Sequence, residues 1–326
     1  MGLFSLELCA GAGGQAIGLE QAGFEHVGLV ENDPHACNTL RLNRPNWRVF
    51  EEDLNHFDAR PFKGIDLVAG GLPCPPFSIA GKQLGKDDER DLFPAMLRIV
   101  DEIRPKAIMI ENVRGLLGKQ FTDYRIGIEG RLAQLGYAAD WRLLNASDFG
   151  VSQLRPRVVM IAIRKDMASN FAWPSKTVKP KTVGQRLIDL MSVHGWKHAL
   201  RWKDQAGRIA PTIVGGSKKH GGPDLGPTRA RQAWAELGVD GKGVADDAPE
   251  LEFEGMPRLT TRMVARIQGI PDEWEFSGRK TAAYRQVGNA FPPPVAGSVG
   301  IQIAEAIAQT NSSLDAVGAR WVMANA

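Results

Sequence analysis

Cys74 is the residue of this sequence best placed to act as a nucleophile. It lies in Gly70-Gly71-Leu72-Pro73-Cys74-Pro75-Pro76-Phe77-Ser78, directly after the mostly apolar run of residues 65–69. A short apolar run that ends in Gly-Gly is typical of a buried strand opening into a loop, and ligands of open α/β sheets bind at that edge. A thiol held there between prolines is a candidate for covalent chemistry, although most free cysteines are simply small buried apolar side chains.

A glycine-rich turn near the start of the chain indicates a nucleotide-like ligand. Gly11, Gly13 and Ala16 follow a predicted strand over residues 4–8 and open a predicted helix that runs to about residue 22. Glu31 lies 20 positions after Gly11, at the end of a second predicted strand. Glycines at this spacing let a ligand approach the backbone closely, and the acid accepts hydrogen bonds from ribose hydroxyls. At this point NAD, FAD and S-adenosylmethionine all fit.

Two further acidic residues follow predicted strands. Asp53 comes after the strand at residues 47–50 and could accept a hydrogen bond from an adenine amino group. Glu111 ends the strand at residues 107–110, which brings it to the same sheet edge as the glycine turn and Cys74. Each acid could instead only cap a helix or a turn. An acid and a thiol at one edge of the sheet nevertheless predict a reactive crevice.

Strands and helices alternate along most of the chain. The predicted strands lie at residues 4–8, 27–30, 47–50, 65–69, 107–110, 137–145 and 158–163, and further helices at about 91–103, 124–135 and 296–308. This alternation predicts an α/β fold with a doubly wound, mostly parallel sheet.

Composition is that of an ordinary globular protein. The chain has 326 residues, of which 43% are hydrophobic and 24% charged, and its formal charge is only +3. We expect a cytoplasmic protein with no membrane association, because no signal peptide, myristoylation site or apolar run of about 18 residues is present. Cys9, Cys37 and Cys74 are far apart and lack a Cys-x-x-Cys spacing, so neither a disulfide framework nor a metal site is predicted.

Charge is distributed unevenly along the second half of the chain. Residues 176–231 contain twelve lysines and arginines but three acidic residues, whereas residues 232–255 contain one lysine and seven acidic residues. The basic stretch could bind a polyanion. Alternatively, both stretches belong to a solvated surface whose charge fluctuates along the sequence.

In chain order, these and later motifs resemble the cytosine carbon-5 DNA methyltransferases of bacterial restriction-modification systems. The resemblance covers residues 4–165 and about 255–310. The blocks that carry it are Glu7 to Gly14, Glu31, Asp53, the segment around Pro73-Cys74, Arg90-Asp91-Leu92-Phe93, Glu111-Asn112-Val113, Gln153-Leu154-Arg155-Pro156-Arg157, Arg258-Leu259-Thr260-Thr261-Arg262, Gln268-Gly269-Ile270-Pro271 and Gln286-Val287-Gly288-Asn289-Ala290-Phe291-Pro292-Pro293-Pro294.

The resemblance implies an enzyme that methylates carbon 5 of a flipped-out cytosine. The Cys74 thiolate would add to carbon 6, Glu111 would hydrogen-bond ring nitrogen 3 and the exocyclic amine, and Arg155 would contact the cytosine carbonyl. Arg157 would add a supporting charge. The implied cofactor is S-adenosylmethionine, held by Leu8, Cys9, Ala10, Gly11, Ala12, Gly13, Gly14, Glu31, Asn32, Asp53, Leu54, Pro73, Asn289 and Ala290.

The resemblance also implies two domains and double-stranded DNA as the partner. Residues 1–174, completed by 276–326, would form a Rossmann-like catalytic domain, and the smaller part at 175–275 would be the target recognition domain. We expect a monomer, and a restriction endonuclease that acts on the same DNA site without a stable complex. The expected DNA contacts are Ser78, Lys82, Arg90, Gln153, Thr212, Lys218, Lys219, Arg229 and Arg231.

Three departures from the family pattern leave alternatives open. Cys9 stands where the family usually has Phe, Leu72 where it has Pro, and Pro75 where it has Gln. None of them removes a reacting group, but a non-catalytic DNA-binding relative with the same fold remains an alternative. A nicotinamide oxidoreductase would explain only the glycine turn and Glu31. An RNA-directed relative fits a separate basic segment of this length less well than a DNA-directed enzyme does.

Overall fold

The computed structural model describes residues 2–73, 91–176, 178–215 and 222–324, with side chains up to residue 310. The strands within these ranges are β1 (Leu3–Leu8), β2 (Phe24–Glu31), β3 (Val49–Glu51), β4 (Leu67–Gly71), β5 (Ala107–Val113), β6 (Tyr137–Asn145) and β7 (Pro156–Arg164). The α-helices there are α1 (Gly14–Gln21), α2 (Pro34–Asn43), α3 (Phe93–Ile103), α4 (Thr122–Gln134), α5 (Val183–Met191), α6 (Ala199–Gln205), α7 (Thr228–Ala235), α8 (Thr261–Ile267), α9 (Lys280–Asn289) and α10 (Pro293–Ala324).

One mixed sheet organises the fold, with strand order β3-β2-β1-β4-β5-β7-β6. The neighbours from β3 to β5 are parallel, whereas β7 is antiparallel to both β5 and β6. The predicted α/β fold with a mostly parallel sheet is therefore confirmed. The short connection at residues 146–155 explains the reversal at β7, because a parallel crossover needs a dozen or more residues.

Helices cover both faces of the central strands. On one face, Leu6 and Leu8 of β1 pack in a cluster with Phe93 and Met96 of α3. On the other, Leu67 of β4 belongs to a cluster that includes α1 and α10. Strands buried on both faces read as near-continuous apolar runs, and residues 67–69 and 107–110 show this pattern.

The last helix of the chain packs against the first. Adding a Cβ to Gly18 of α1 would place it 2.7 Å from both the Ala296 Cβ and the Gly297 nitrogen of α10, and still closer to the Pro293 carbonyl oxygen. Gly14 meets the carbonyl of Phe291 in the same way. Two glycines one helical turn apart therefore let the two backbones approach closely, which brings the end of α9 beside the glycine turn.

The segment from α5 to α8 is built mainly from short helices. Threonine side chains cap two of them: Thr182 accepts a hydrogen bond from the Gln185 amide at 3.2 Å, and Thr260 accepts one from the Met263 amide at 3.2 Å. The apolar core of this segment contains Trp202 and continues without a break to Leu40 of α2. This segment thus shares a core with the sheet-bearing part of the chain.

The lengths and hydropathies of the helices bear on membrane insertion. Among those that the structure describes, none is both long enough and apolar enough to cross a bilayer.

The α1–α10 packing predicts the effect of one methyl group. We expect Gly18→Ala to lower the free energy of unfolding by about 1–3 kcal/mol, because the interface has no room for a Cβ. Gly127→Ala on α4 is the matched control: its Cβ would meet nothing within 4 Å, so it should raise stability by about 0.5–1 kcal/mol. Urea unfolding of both variants measures the two effects, and equal effects would contradict the packing argument.

Candidate active site

The carboxyl ends of the parallel strands meet at one edge of the sheet. This edge carries the turn after β1, Glu31 at the end of β2, Pro73 just after β4 and Glu111 in the last part of β5. Pro73 is the last described residue before the predicted nucleophile. The predicted site residues Cys74, Ser78, Lys82, Arg90, Lys218 and Lys219 lie outside the described residues.

The turn between β1 and α1 has an unusual backbone. Cys9, Gly11 and Gly13 have positive φ angles of 51°, 54° and 87°. A Cβ on Gly13 would lie 2.8 Å from Leu40 and 2.9 Å from Trp274, whereas one on Gly11 would meet nothing within 4 Å. A glycine is thus needed at position 13 because Leu40 and Trp274 leave no room for a side chain there. Gly11 faces open space, where a ligand could approach its backbone.

The Glu31 carboxylate is oriented by backbone amides. Its Oε2 accepts a hydrogen bond from Gly11 N at 2.8 Å, and its Oε1 accepts from Asn32 N at 2.8 Å and Asp33 N at 2.7 Å. Because each carboxylate oxygen has two lone pairs and Oε2 uses only one of them, Glu31 keeps one site that can accept from a further hydroxyl group. It is therefore a preformed acceptor next to the glycine turn.

Cys9 lies among negative charges. Burial raises the pKa of its thiol far above the usual range, and the nearby carboxylates of Glu31 and Asp53 raise it further. The Cys9 thiol therefore stays protonated and is a poor nucleophile. Asp53 is exposed, and one of its oxygens accepts a hydrogen bond from Asn55 N at 2.8 Å. Both expected cofactor acids thus lie near one residue of the turn.

A buried ion pair lies at the other side of the edge. The Arg157 Nε is 2.8 Å from the Glu111 Oε1, and only 7% of Glu111 is exposed. Strands β5 and β7 are antiparallel, and Glu111 of β5 lies opposite Val159 of β7. Arg157 is two residues before Val159 on β7, so it lies on the same face of the sheet and can reach Glu111. Burial raises the pKa of Glu111, while Arg157 and then Arg155 oppose that rise. This carboxyl group therefore holds a proton more strongly than an exposed glutamate does.

Asn112 fixes the chain next to Glu111. Its buried side chain donates from Nδ2 to the Leu72 carbonyl at 3.3 Å and accepts from Val113 N at 2.8 Å. Gly71 is opposite Glu111 in the β4–β5 ladder, and a Cβ there would lie 3.3 Å from Glu111 Oε2. The end of β4 is thereby held beside the Glu111 carboxylate.

The predicted role of Arg155 needs correction. Arg155 is fully buried, and it donates to the carbonyls of Ile213 at 2.6 Å, Gly288 at 2.9 Å and Ala290 at 3.0 Å. A guanidinium committed to three backbone carbonyls is not free to bind a cytosine. The direct neighbour of Glu111 is Arg157, which was predicted only as a supporting charge.

Gln153, predicted to contact DNA, is also part of the interior. It is fully buried; its Nε2 donates to the Gln268 Oε1, and its Oε1 accepts from Ile213 N at 2.8 Å. Gln268 in turn donates to the Ala290 carbonyl at 2.7 Å. Sequence reasoning placed Gln268 in a family block but assigned it no role, because its partners are far away in the chain.

Trp274 is a second residue that the sequence reasoning missed. Its indole Nε1 donates to the Ala12 carbonyl at 3.0 Å, and its ring packs against the position of Gly13. The Arg44 guanidinium lies 5.2 Å from the centre of the ring. Trp274 therefore holds the glycine turn from the side of residues 175–275. No local pattern in the sequence signals this contact.

Ion pairs within the second half of the chain account for part of its uneven charge. Basic residues pair with the acidic stretch and with Asp224: Arg208 with Glu236 at 2.7 Å, Arg231 with Asp224 at 3.0 Å, His194 with Asp247 at 3.0 Å, Arg258 with Asp240 at 2.8 Å, and Lys197 with Glu252. Arg231 is thus tied to a carboxylate, whereas Arg229 is exposed at the start of α7. Thr212 is half-buried and donates to the Leu154 carbonyl.

Beneath the glycine turn, Glu7 of β1 is completely buried. Neither of its carboxyl oxygens has a hydrogen-bond partner among the described residues. Desolvation raises its pKa from 4.5 to about 8. Glu7 therefore holds a proton at neutral pH.

The chain resembles known methyltransferases along nearly its whole length. The family model described as C-5 cytosine-specific DNA methylase matches residues 3–305. The chain is 54% identical to the type II methyltransferase M.NgoMIV of Neisseria gonorrhoeae over 94% of its length and 99% of that protein. It is 56% identical to M.NaeI of Lentzea aerocolonigenes over 93% of its length and 75% of that protein. A crystal structure of Spodoptera frugiperda DNMT2 has a TM-score of 0.65 at 19% identity, covering 93% of this chain and all 100% of the other, and thus shares the fold.

The buried Glu7 predicts a pH dependence of stability. Between its unfolded pKa near 4.5 and its folded pKa of about 8, only the folded state keeps the proton, so stability falls as pH rises through this range. Glu7→Gln cannot ionise, and we expect its free energy of unfolding to gain about 3–5 kcal/mol relative to wild type between pH 5 and pH 8.

Urea unfolding at the two pH values measures this difference. The exposed Glu25→Gln on β2 is the matched control and should follow wild type at both. A gap between Glu7→Gln and wild type that does not change with pH would contradict a protonated Glu7.

Proposed function

This chain belongs to the C-5 cytosine-specific DNA methylase family, and on that premise we propose that it methylates carbon 5 of a cytosine in double-stranded DNA with S-adenosylmethionine. Methyltransferases of this family use S-adenosylmethionine as a general rule. The observation that carries the proposal is the buried Glu111–Arg157 pair at the sheet edge that also presents Gly11 and Glu31. A base-binding acid and a ribose-binding acid are thus available at one crevice.

The residues at the glycine turn fit the cofactor. Open space above Gly11 allows a ligand to approach the backbone, and the fixed Glu31 carboxylate can accept from ribose hydroxyls. When bound, S-adenosylmethionine supplies an electrophilic methyl group on a sulfonium. We assign its binding to the loop and strand-end residues Leu8, Cys9, Ala10, Gly11, Ala12, Gly13, Gly14, Glu31, Asn32, Asp53, Leu54, Pro73, Asn289 and Ala290.

Glu111 and Arg157 are assigned to the cytosine. Glu111 would hydrogen-bond ring nitrogen 3 and the exocyclic amine, and its raised pKa suits a group that delivers a proton to that nitrogen. Arg157 would contact the cytosine carbonyl, where negative charge develops during attack on the ring. This proposal gives Arg157 the contact first expected of Arg155, because Arg157 is the arginine in direct contact with Glu111.

Cys74 is assigned the covalent step. Its thiolate adds to carbon 6 of the flipped-out base, the 5,6 double bond opens, and nitrogen 3 takes up a proton. The electron pair of the resulting enamine would form the bond from carbon 5 to the methyl group. The bond between that methyl group and the sulfonium sulfur would break, and its electron pair would stay on sulfur in the departing thioether, S-adenosylhomocysteine. A base, for which water suffices, then removes the carbon-5 proton, nitrogen 3 returns its proton, and Cys74 leaves as the double bond re-forms. The ring becomes aromatic again and carries the methyl group.

DNA recognition is assigned to residues 175–275, and catalysis to 1–174 together with 276–326. Arginine and lysine side chains would contact phosphates or guanine edges. We assign the DNA contacts to Ser78, Lys82, Arg90, Thr212, Lys218, Lys219, Arg229 and Arg231. We further propose that one copy acts on one base at a time, and that a restriction endonuclease cuts the same site when it is unmethylated. The relatives M.NgoMIV and M.NaeI, both type II methyltransferases, support this assignment.

The proposed activity is tested by transfer of labelled methyl groups to unmethylated duplex DNA, followed by sequencing that locates methylcytosine. We expect label at carbon 5 within one recurring sequence. Cys74→Ser should abolish it, because the serine hydroxyl is far less nucleophilic than a thiolate. Glu111→Gln should lower the single-turnover rate by about 10²–10⁴-fold, since it removes a proton donor. Glu25→Gln, at the opposite edge of the sheet, should match wild type.

Two results would contradict the proposal. Wild-type protein that binds DNA but transfers no methyl group would be a non-catalytic relative. Undiminished transfer by Cys74→Ser would exclude covalent addition through this thiol.

The geometry of Glu31 predicts a loss of cofactor affinity. Glu31→Gln would turn an amide NH₂ toward backbone N–H groups that now donate to a carboxylate, leaving at least one without an acceptor. We expect the Kd for S-adenosylhomocysteine, measured by calorimetry without DNA, to rise roughly 10- to 100-fold. Glu52→Gln, an exposed neighbour of Asp53, is the control and should bind like wild type. If Glu31→Gln bound S-adenosylhomocysteine as tightly as wild type, Glu31 would not be part of the cofactor site.

A further inference from the structure

We propose that Arg155, with Gln153 and Gln268, is a positioning junction that couples DNA bound at the recognition segment to the cofactor site and to the Glu111–Arg157 pair. This inference rests on the proposed function. The recognition segment is defined here as residues 210–215, which lie between α6 and α7. Arg155, Gln153 and Gln268 touch neither of the proposed ligands, so their role would be to hold the groups that do.

The three side chains form one buried hydrogen-bonded network. Each of them is 0% exposed. Arg155 and Gln153 both bind Ile213, through its carbonyl at 2.6 Å and its amide at 2.8 Å respectively. Arg155 and Gln268 both bind the Ala290 carbonyl, at 3.0 Å and 2.7 Å. Three separate stretches of chain are therefore joined through groups that would be costly to leave unpaired.

The recognition segment also lies directly along the chain that leads into β7. Leu154 N donates to the Ala210 carbonyl at 2.7 Å, and Ala210 N donates to the Ser152 carbonyl at 2.8 Å. Thr212, an expected DNA contact, donates to the Leu154 carbonyl. A displacement of the recognition segment is thus transmitted to residues 152–155, and from there to Arg157 only two residues later.

On its other side, the recognition segment touches the end of α9. A Cβ on Gly215 would lie 2.6 Å from Asn289 Oδ1, and one on Gly288 would lie 2.8 Å from the carbonyl carbon of Val214. The two backbones therefore meet with no space for a side chain between them. Asn289 and Ala290 are assigned to the cofactor, so this contact links the DNA side of the junction to the cofactor side.

The charge of Arg155 reaches the reacting groups as well. Both Arg157 and Arg155 hold down the pKa of Glu111 against the effect of burial. Because Arg155 is held by carbonyls of the recognition segment and of α9, its position relative to Glu111 depends on how these two parts fit together. Arg155 thus contacts the chain segments assigned to both ligands, and its charge lowers the pKa of the Glu111 carboxyl group.

Arg155→Lys tests the junction, because lysine keeps the charge but cannot span three carbonyls in different directions. Gln268→Met is the second variant, since it removes the link to Ala290 while keeping a similar volume. Arg164→Lys, at the other end of β7 on an exposed ion pair with Asp166, is the matched control. Circular dichroism and active-site titration establish the folded, active fraction of each protein.

Two measurements are made on the whole chain. The first is the single-turnover rate of methyl transfer per active site, which we expect to fall about 10- to 100-fold in both junction variants, with the KM for DNA within about threefold of wild type. The second is the Kd for S-adenosylhomocysteine with and without duplex DNA. In wild type we expect DNA to tighten this binding about 5-fold or more, and in both variants we expect that coupling to be largely lost.

The outcomes separate this inference from the proposed function. A wild-type rate in Arg155→Lys would show that charge alone suffices, and a lower rate explained entirely by fewer active sites would show a merely structural role; either result overturns the junction. The absence of coupling in wild type overturns it too. If wild type transfers no methyl group to DNA but shows coupling that the variants lose, the proposed activity fails and the junction stands.

Discussion

One buried guanidinium, that of Arg155, joins the recognition segment (residues 210–215) and the end of α9 to the start of β7. Arg155 places its donors on carbonyls of Ile213, Gly288 and Ala290, which are 58, 133 and 135 residues away in the chain. Burying a charge is expensive unless hydrogen bonds replace its water. The site can therefore form only when the recognition segment, the end of α9 and the start of β7 have all reached their places, so the assembly of the crevice is cooperative.

The carboxylates near the edge of the sheet differ because their surroundings differ. Glu31 is held by three backbone N–H groups and so serves as a fixed acceptor. Glu111 is buried beside Arg157. Desolvation raises the pKa of Glu111, and the positive charge of Arg157 opposes that rise. Glu7 lies deeper, without a hydrogen-bond partner among the described residues, and stays protonated. Burial and partners, rather than residue type, thus decide which acid keeps its proton and which is fixed as a hydrogen-bond acceptor.

Much of the fold could be predicted from local patterns. The predicted strands at residues 65–69, where Asp66 is the one polar residue, and 107–110 correspond to β4 (Leu67–Gly71) and β5 (Ala107–Val113), because strands buried on both faces have no regular polar alternation. The direction of β7 was not predicted. An apolar strand looks the same in either direction, and the reversal depends on the length of the connection that precedes it.

The family, the fold class and the chemical types of the site residues can be read from the sequence, because glycine turns and strand-end acids are local patterns in a fixed order. Which arginine accompanies Glu111, and which side chains are used up in internal hydrogen bonds, depends on tertiary contacts. Arg155 and Arg157 belong to one sequence motif, and nothing local distinguishes their roles. In the same way, the sequence around Gln153 does not distinguish a buried side chain from one that contacts DNA. Their roles depend on partners more than a hundred residues away, such as Ala290 and Gln268, and no local pattern encodes such contacts.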